Sequence, residues 1–231
     1  MEIKFHIYLK IVDADIDTLL ELFLKFSELD SIYHNSLSDW FLTDKSKKQA
    51  EKQCIIRQGE LTDESSYLLG KALNNLPCVA KGMWSETGTR IDVRNYVCSD
   101  LDNYWLRFTL PKGNEADIKK VMMILSEMIN HLEPHIITLE TNEYSINKSQ
   151  VFPDRIPVGW IIYIDHVYGE SDFDLGERAI NVKKTDKSIG TLFVSKKGFF
   201  DGGNEQDIKA ANDLEILLAA HSVLPLYKDI F

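Results

Sequence analysis

Residues 157 to 168 read Pro-Val-Gly-Trp-Ile-Ile-Tyr-Ile-Asp-His-Val-Tyr, and how this stretch is taken decides the fold. Successive side chains of a strand point to opposite faces, which places Val158, Trp160, Ile162 and Ile164 on one face and Ile161, Tyr163 and Val167 on the other. Both faces are largely apolar, the pattern of a strand covered on two sides. A β-branched run enclosed by Pro157 and Gly169 is too short for a buried helix of ordinary length, and its residue types favour a sheet. The stretch is expected to be the central strand.

Downstream, Glu170 to Arg178 reads as an exposed acidic loop, Ile189 to Ser195 as a last strand and Gly198 to Gly203 as a turn. Asn204 and Asp207 then open a helix carrying Ile208, Ala211, Leu214, Leu217 and Leu218. Upstream, His135 to Thr141 reads as a strand, joined to the central one by a polar connection containing Pro153. Before it, Asn114 caps an amphipathic helix marked by Ile118, Val121, Met122, Leu125, Ile129 and Leu132 and ended by Pro134; Met122, Met123 and Met128 read as core filler. From Val79 to Leu110 three strand-like runs with short connections predict an antiparallel meander. One carries Arg90, Asp92, Arg94 and Tyr96 opposite Ile91, Val93 and Val97; the next carries Trp105, Arg107 and Thr109 opposite Tyr104, Leu106, Phe108 and Leu110.

Thr62 to Leu73 reads as a helix with Tyr67, Leu68, Leu69, Ala72 and Leu73 on its apolar side, and Ser31 to Arg57 as a looser region with a buried anchor at Trp40 and a solvated helical turn. At the start, Ile3, Phe5, Ile7, Leu9 and Ile11 alternate with Lys4, His6, Tyr8 and Lys10, which predicts a half-buried strand. Asp13 or Asp15 caps the helix that follows, with Ile16, Leu19, Leu20, Phe23 and Phe26 at helical spacing. The fold class is α+β: a mixed, largely antiparallel sheet with helices packed on it. One domain over residues 1–231 is expected, with the polar segment 142–156 as the candidate seam.

The chain has 231 residues, 44% hydrophobic and 27% charged, with a formal charge of −10. Direct binding to nucleic acid or an anionic membrane is not expected, because neutralising phosphates needs clustered Lys and Arg. The start has no basic n-region or apolar h-region, and no run reaches the ~20 apolar residues of a spanning helix, so a cytoplasmic protein is expected. Cys54, Cys78 and Cys98 fit neither a disulfide framework nor a paired-thiolate metal site; Cys78 and Cys98 are expected to be small buried hydrophobes.

Nucleophile elbows, phosphate-binding Gly-Lys loops, dinucleotide fingerprints and zinc-protease helices are missing from the sequence. Asp13, Asp15 and Asp17 start like a calcium loop, but Thr18 stands where a Gly is needed and Leu24 where a Glu is needed. Pro134 breaks the helix that would have put His131 and His135 on one face. Asp165 and His166, being adjacent on a strand, point to opposite faces. No cofactor, metal or catalytic residue is therefore assigned. An enzyme with an unrecognised carboxylate or histidine site stands as the alternative to a binding protein.

The order of features resembles the immunity protein 52 family of bacterial polymorphic toxin systems. The resemblance lies in the opening strand and helix, Trp40, the Gly82 to Trp84 strand, Val158-Gly159-Trp160 with Tyr163, Gly190-Thr191-Leu192, and Phe200-Asp201 before the last helix. It implies a protein that protects its own cell by binding a toxin encoded beside it, often a nuclease, and occluding its cleft. An acidic protein can be steered to such a cationic cleft. The partner-binding residues expected on this basis are Glu170, Asp172, Asp174 and Glu177 of the acidic loop, with Asp201 in support, since Arg178 is the only basic residue in that loop and their charge looks locally unneutralised. The competing reading of the loop is a solvated connection.

Overall fold

The computed structural model describes residues 1–98, 100–147, 149–169 and 175–230. The alternating N-terminal run forms β1 (Ile3–Lys10), followed by α1 (Ile16–His34). Asp15 caps α1, its carboxylate accepting from the Thr18 amide at 2.8 Å and the Thr18 hydroxyl at 2.6 Å. There follow β2 (Trp40–Leu42), the short α2 (Lys47–Ala50), β3 (Cys54–Arg57), β4 (Glu60–Leu61) and α3 (Ser65–Ala72). The meander is β5 (Ala80–Ser85), β6 (Arg90–Arg94) and β7 (Asn103–Leu110). A capping box of Asn114 and Asp117 precedes α4 (Ile118–Leu132), which leads into β8 (Ile136–Thr141) and β9 (Ile161–Ile164). The chain closes with the hairpin β10 (Ala179–Lys184) and β11 (Lys187–Val194), then α5 (Glu205–Ala220), capped by Asn204 through the amides of Gln206 and Asp207.

These strands make one 11-stranded sheet in the order β10-β11-β9-β8-β1-β7-β6-β5-β2-β3-β4. Every paired strand is antiparallel, so the fold is α+β as expected. The middle strand of the sheet is β7, with β1 beside it, and not β9, which lies third from an edge. Apolar residues on both faces of β9 report cover from two sides, and cover from two sides does not require a central position.

One face of the sheet is built from Ile3, Phe5 and Ile7 of β1 with Phe108 of β7 and Leu139 of β8, packed against Leu19, Phe23 and Phe26 of α1 and Val121, Leu125 and Met128 of α4. The other face has a second apolar cluster, in which Tyr8, Ile136, Ile162 and Phe193 meet Leu214 and Leu218 of α5 and Val158 and Leu224. This second layer makes β1 different from the half-buried strand its alternation predicts: Lys4, His6 and Tyr8 are buried as well. Their cover is the segment between β8 and β9, and two buried carboxylates hold it there. Glu140 accepts from the Ser145 amide at 2.8 Å and hydroxyl at 2.9 Å and lies 3.3 Å from His6 Nε2. Glu215 on α5 accepts from the amides of Val151 at 2.7 Å and Val158 at 3.0 Å and from the Tyr144 hydroxyl at 3.1 Å. The candidate seam at 142–156 is thus tied to both the sheet and α5.

Other expectations need correction. Strands β3, β4 and β10 were not expected: β4 and β10 are the two edges, with residues that are exposed or half-buried, and β3, between β2 and β4, has only four residues, too few to show an alternation. The helix expected from Thr62 begins at Ser65, and Tyr67 is 68% exposed. Met123 on α4 is 48% exposed while Met128 is in the core, and of the cysteines expected to be buried Cys98 is and Cys78 is not. Gly159, in the Val-Gly-Trp motif, has a positive φ of 59°, and a Cβ there would lie 2.8 Å from the Leu139 carbonyl oxygen. Its motif position is set by this close approach to β8.

Trp160 is 1% exposed, donates through Nε1 to the Lys196 carbonyl at 3.1 Å and meets Phe199 edge-on. Trp160→Ala is expected to lower unfolding free energy by about 3–5 kcal/mol in denaturant titration, and a loss below about 1 kcal/mol would contradict this packing. Burial is the largest influence on Glu140 and opposes its ionisation, but the His6 contact and the Ser145 hydrogen bonds outweigh it and hold the carboxyl below its usual 4.5. A depressed folded pKa contributes stability above the unfolded pKa and loses it as pH falls through the folded one. Glu140→Gln should therefore cost about 1–3 kcal/mol near neutral pH, and the gap to the parent should close on acidification below 4.5. A gap that stays constant into the acid limb of the stability curve would show that Glu140 is not held as a carboxylate.

Candidate functional site

The second layer covers one half of its face, and beyond it the strands carry partly exposed charged and aromatic side chains. Strand register sets their arrangement. Arg94 lies opposite Trp105, and Trp105 opposite Tyr8; in the next row Asp92, Arg107, His6 and Thr138 follow one another across four strands. Asp92 accepts from Arg107 Nη2 at 2.7 Å and Nε at 3.2 Å, a charge-assisted cross-strand pair. The His6 ring lies parallel to Trp105 within 2°, centroids 5.9 Å apart, and the Arg94 guanidinium sits 5.3 Å from the Trp105 ring centroid.

Where this open face meets the edge of the second layer there is a cavity of about 350 Å³, bordered by His6, Tyr8, Trp105, Arg107, Ile146 and Tyr227. The Trp105 indole nitrogen is buried and has no hydrogen-bond acceptor. Of the side chains that border the cavity, Ile146, at 55% exposed, and Val97 are apolar and left in water, and so is Tyr96, the chain neighbour of Val97, at 52%. The loop bearing Tyr96 and Val97 is braced by the buried Asn95, which accepts from the Val79 amide and donates to the Pro77 and Leu101 carbonyls, each at 2.7 Å. Burial raises the Tyr8 and Tyr227 hydroxyl pKa values, with Glu140 adding to both, so both phenols are neutral at physiological pH. Glu140, depressed and occupied by His6 and Ser145, is a poor proton donor there. The arrangement suits binding: an aromatic hollow, fixed cations and an apolar rim.

Of the five partner-binding residues expected from the sequence, Glu177 and Asp201 are among the described residues, and both are engaged within the chain. Glu177 is paired with Lys197 from the far end of the hairpin, and the hydrogen bond and charge of Lys197 lower its pKa. Its charge is locally neutralised, contrary to expectation, by a lysine that lies twenty residues on in sequence. Asp201 serves its own turn, accepting from Asn142 Nδ2 at 2.5 Å and from the Gly203 amide at 2.8 Å. Glu170, Asp172 and Asp174 lie outside the described residues. His135 and Asp165 pair across strands at 2.7 Å in an exposed position, and among the described residues no group of three or more His, Cys, Asp or Glu could hold a metal ion. No helix among the described residues is long and apolar enough to cross a membrane. Sequence reading missed Trp105 and Arg94 as a site; their signal was the polar face of two neighbouring strands that mixed arginine with tryptophan.

No family model matches the chain, and no curated protein matches it. Six chains of solved structures do. One is the Pseudomonas aeruginosa T6SS protein PA0821, with a TM-score of 0.54 and 11% identity, covering 97% of this chain and 76% of that one. At that identity the likeness establishes a shared fold, running over nearly the full length of this chain.

Proposed function

We propose that this chain is a bacterial immunity protein that acts in the cytoplasm by binding a toxin encoded beside it, a nuclease, and blocking its action without catalysing a reaction itself. The observation that carries the reading is the fold shared over 97% of the chain with a protein described as belonging to a T6SS. The resemblance of Trp40, Val158-Gly159-Trp160 and Gly190-Thr191-Leu192 to the immunity protein 52 family points the same way, and the charge of −10 suits a cationic partner. The open face around Trp105 supplies what a protein interface needs: an aromatic hollow ringed by exposed apolar side chains on a braced loop.

Co-expression with the neighbouring toxin should restore growth, and the two proteins should co-purify. Replacing Tyr96 and Ile146 together by Ala should leave stability within about 1 kcal/mol of the parent, as for exposed positions, while weakening toxin binding by roughly 30-fold or more. Failure of both rescue and co-purification with the parent chain would overturn the reading, and full affinity in the double variant would remove this face from the interface.

A further inference from the structure

We infer that the cleft between α4 and the hairpin of β10 and β11 is a binding site for a small anionic amphiphile, an unbranched acyl chain ending in a carboxylate. The cleft lies on the face of the sheet opposite Trp105 and does not depend on the proposed function.

Strand register builds the apolar floor. Val194 lies opposite Ile161 and Ile180 opposite Leu192, so these four side chains share the α4 face of the outer strands. Ile118 and Met122 of α4 supply the second wall of a cavity of about 470 Å³, which Trp160 also borders. Cover runs out at its edge: Ile180 is 50% exposed, and Met123, the chain neighbour of Met122, is 48% exposed. Apart from Trp160 the apolar lining is aliphatic. A cavity of this size falls in the lower half of the range for small-molecule sites, with space for one chain and not for the two of a membrane lipid. The flexible thioether of Met122 can follow such a chain.

The charge of the lining sets the other end of the ligand. Arg178, Lys196 and Lys197 border the cavity, and Glu177 is the single carboxylate among the described residues that do. Lys197 is paired with Glu177, and Lys196 holds both oxygens of Asp207, at 2.7 and 2.9 Å. Arg178 has no ion-pair partner among the described residues. Each lysine is thus matched by one carboxylate and Arg178 by none, a balance that the second oxygen of Glu177 does not alter. A carboxylate would complete it and accept charge-assisted bonds from the guanidinium. A cationic amphiphile would meet three cations, and a neutral one would leave Arg178 unmatched. The turn bearing the lysines is fixed on Trp160, whose carbonyl accepts from the Ser195 amide and hydroxyl, each at 2.9 Å, and whose indole donates to the Lys196 carbonyl. The net charge of −10 does not decide the matter at this range, since at physiological salt distant carboxylates are screened beyond about 8 Å.

The test uses the intact chain labelled with ¹³C at its methionine methyl groups. Five methionines give five signals, and that of Met122 is assigned by its absence in Met122→Leu. Decanoate should shift the Met122 signal saturably, with a Kd on the order of 1 mM or tighter, while the core residues Met83 and Met128 stay in place. Decanol, the same chain without charge, should bind about 10-fold or more weakly, and Arg178→Gln should reduce decanoate to the affinity of decanol. Unchanged Met83 and Met128 signals in Arg178→Gln show that the variant is folded. Phosphatidylglycerol vesicles should leave the Met122 signal unmoved, which separates a free carboxylate from an anionic membrane lipid. No shift with decanoate, equal affinity for decanoate and decanol, or full affinity in Arg178→Gln would each overturn the inference, and a Met122 shift with vesicles would overturn the assignment to a free ligand.

Discussion

Two carboxylates taken out of water, Glu140 and Glu215, fix the layer on which the rest of this structure depends. A buried charge is tolerated only when hydrogen bonds replace the lost hydration, and both glutamates obtain them from the segment between β8 and β9. Burial raises the pKa of Glu215, and its backbone and Tyr144 hydrogen bonds oppose the rise. In accepting those amides the pair pulls a polar, proline-containing segment across strands that would otherwise face water. Lys4, His6 and Tyr8 are buried as a consequence, and β1 becomes an interior strand on both faces. Removing either carboxylate would leave buried backbone N–H groups without acceptors, so this layer should loosen before the layer formed by α1 and α4.

The same layer creates the binding face by stopping short. Its edge runs along the row of Tyr8, Trp105 and Arg94, which leaves an aromatic ring flanked by His6 and Arg94 at the boundary between covered and open sheet. Glu140 spends its oxygens on the segment and on His6, and Asp92 gives one of its oxygens to Arg107, so both carboxylates at this boundary are engaged within the fold. The rim is rigid for a separate reason, the three hydrogen bonds of Asn95 that brace the loop carrying Tyr96 and Val97. A preorganised hollow of this kind loses little conformational freedom on binding, which favours recognition by shape and local charge.

Much of the architecture was legible in local pattern. The apolar alternation of β1, the Asp15 and Asn204 caps, the short connections of the meander and the apolar stripe of α4 all correspond to elements of the structure. Long-range matters were not legible. Nothing in 157–168 distinguishes a strand third from the edge from one in the middle, since both can be covered twice. The polar face of β1 predicted water, and its burial depends on Glu140, more than a hundred residues away in sequence. For the same reason the pairing of Glu177 was not legible: its partner Lys197 is twenty residues on in sequence and arrives only when the hairpin folds back. The Trp105 face was visible as alternating arginine and tryptophan on neighbouring strands, but its openness follows from where the second layer ends.

Hydrogen–deuterium exchange of the chain alone and in complex with its toxin tests the location of the interface most directly. Binding through the open face should slow exchange in residues 94–98 and 103–107 and around 145–147, with residues 175–180 next to the acidic loop unchanged. Protection confined to 175–180, with none around Trp105, would contradict it and return the contact to the acidic loop.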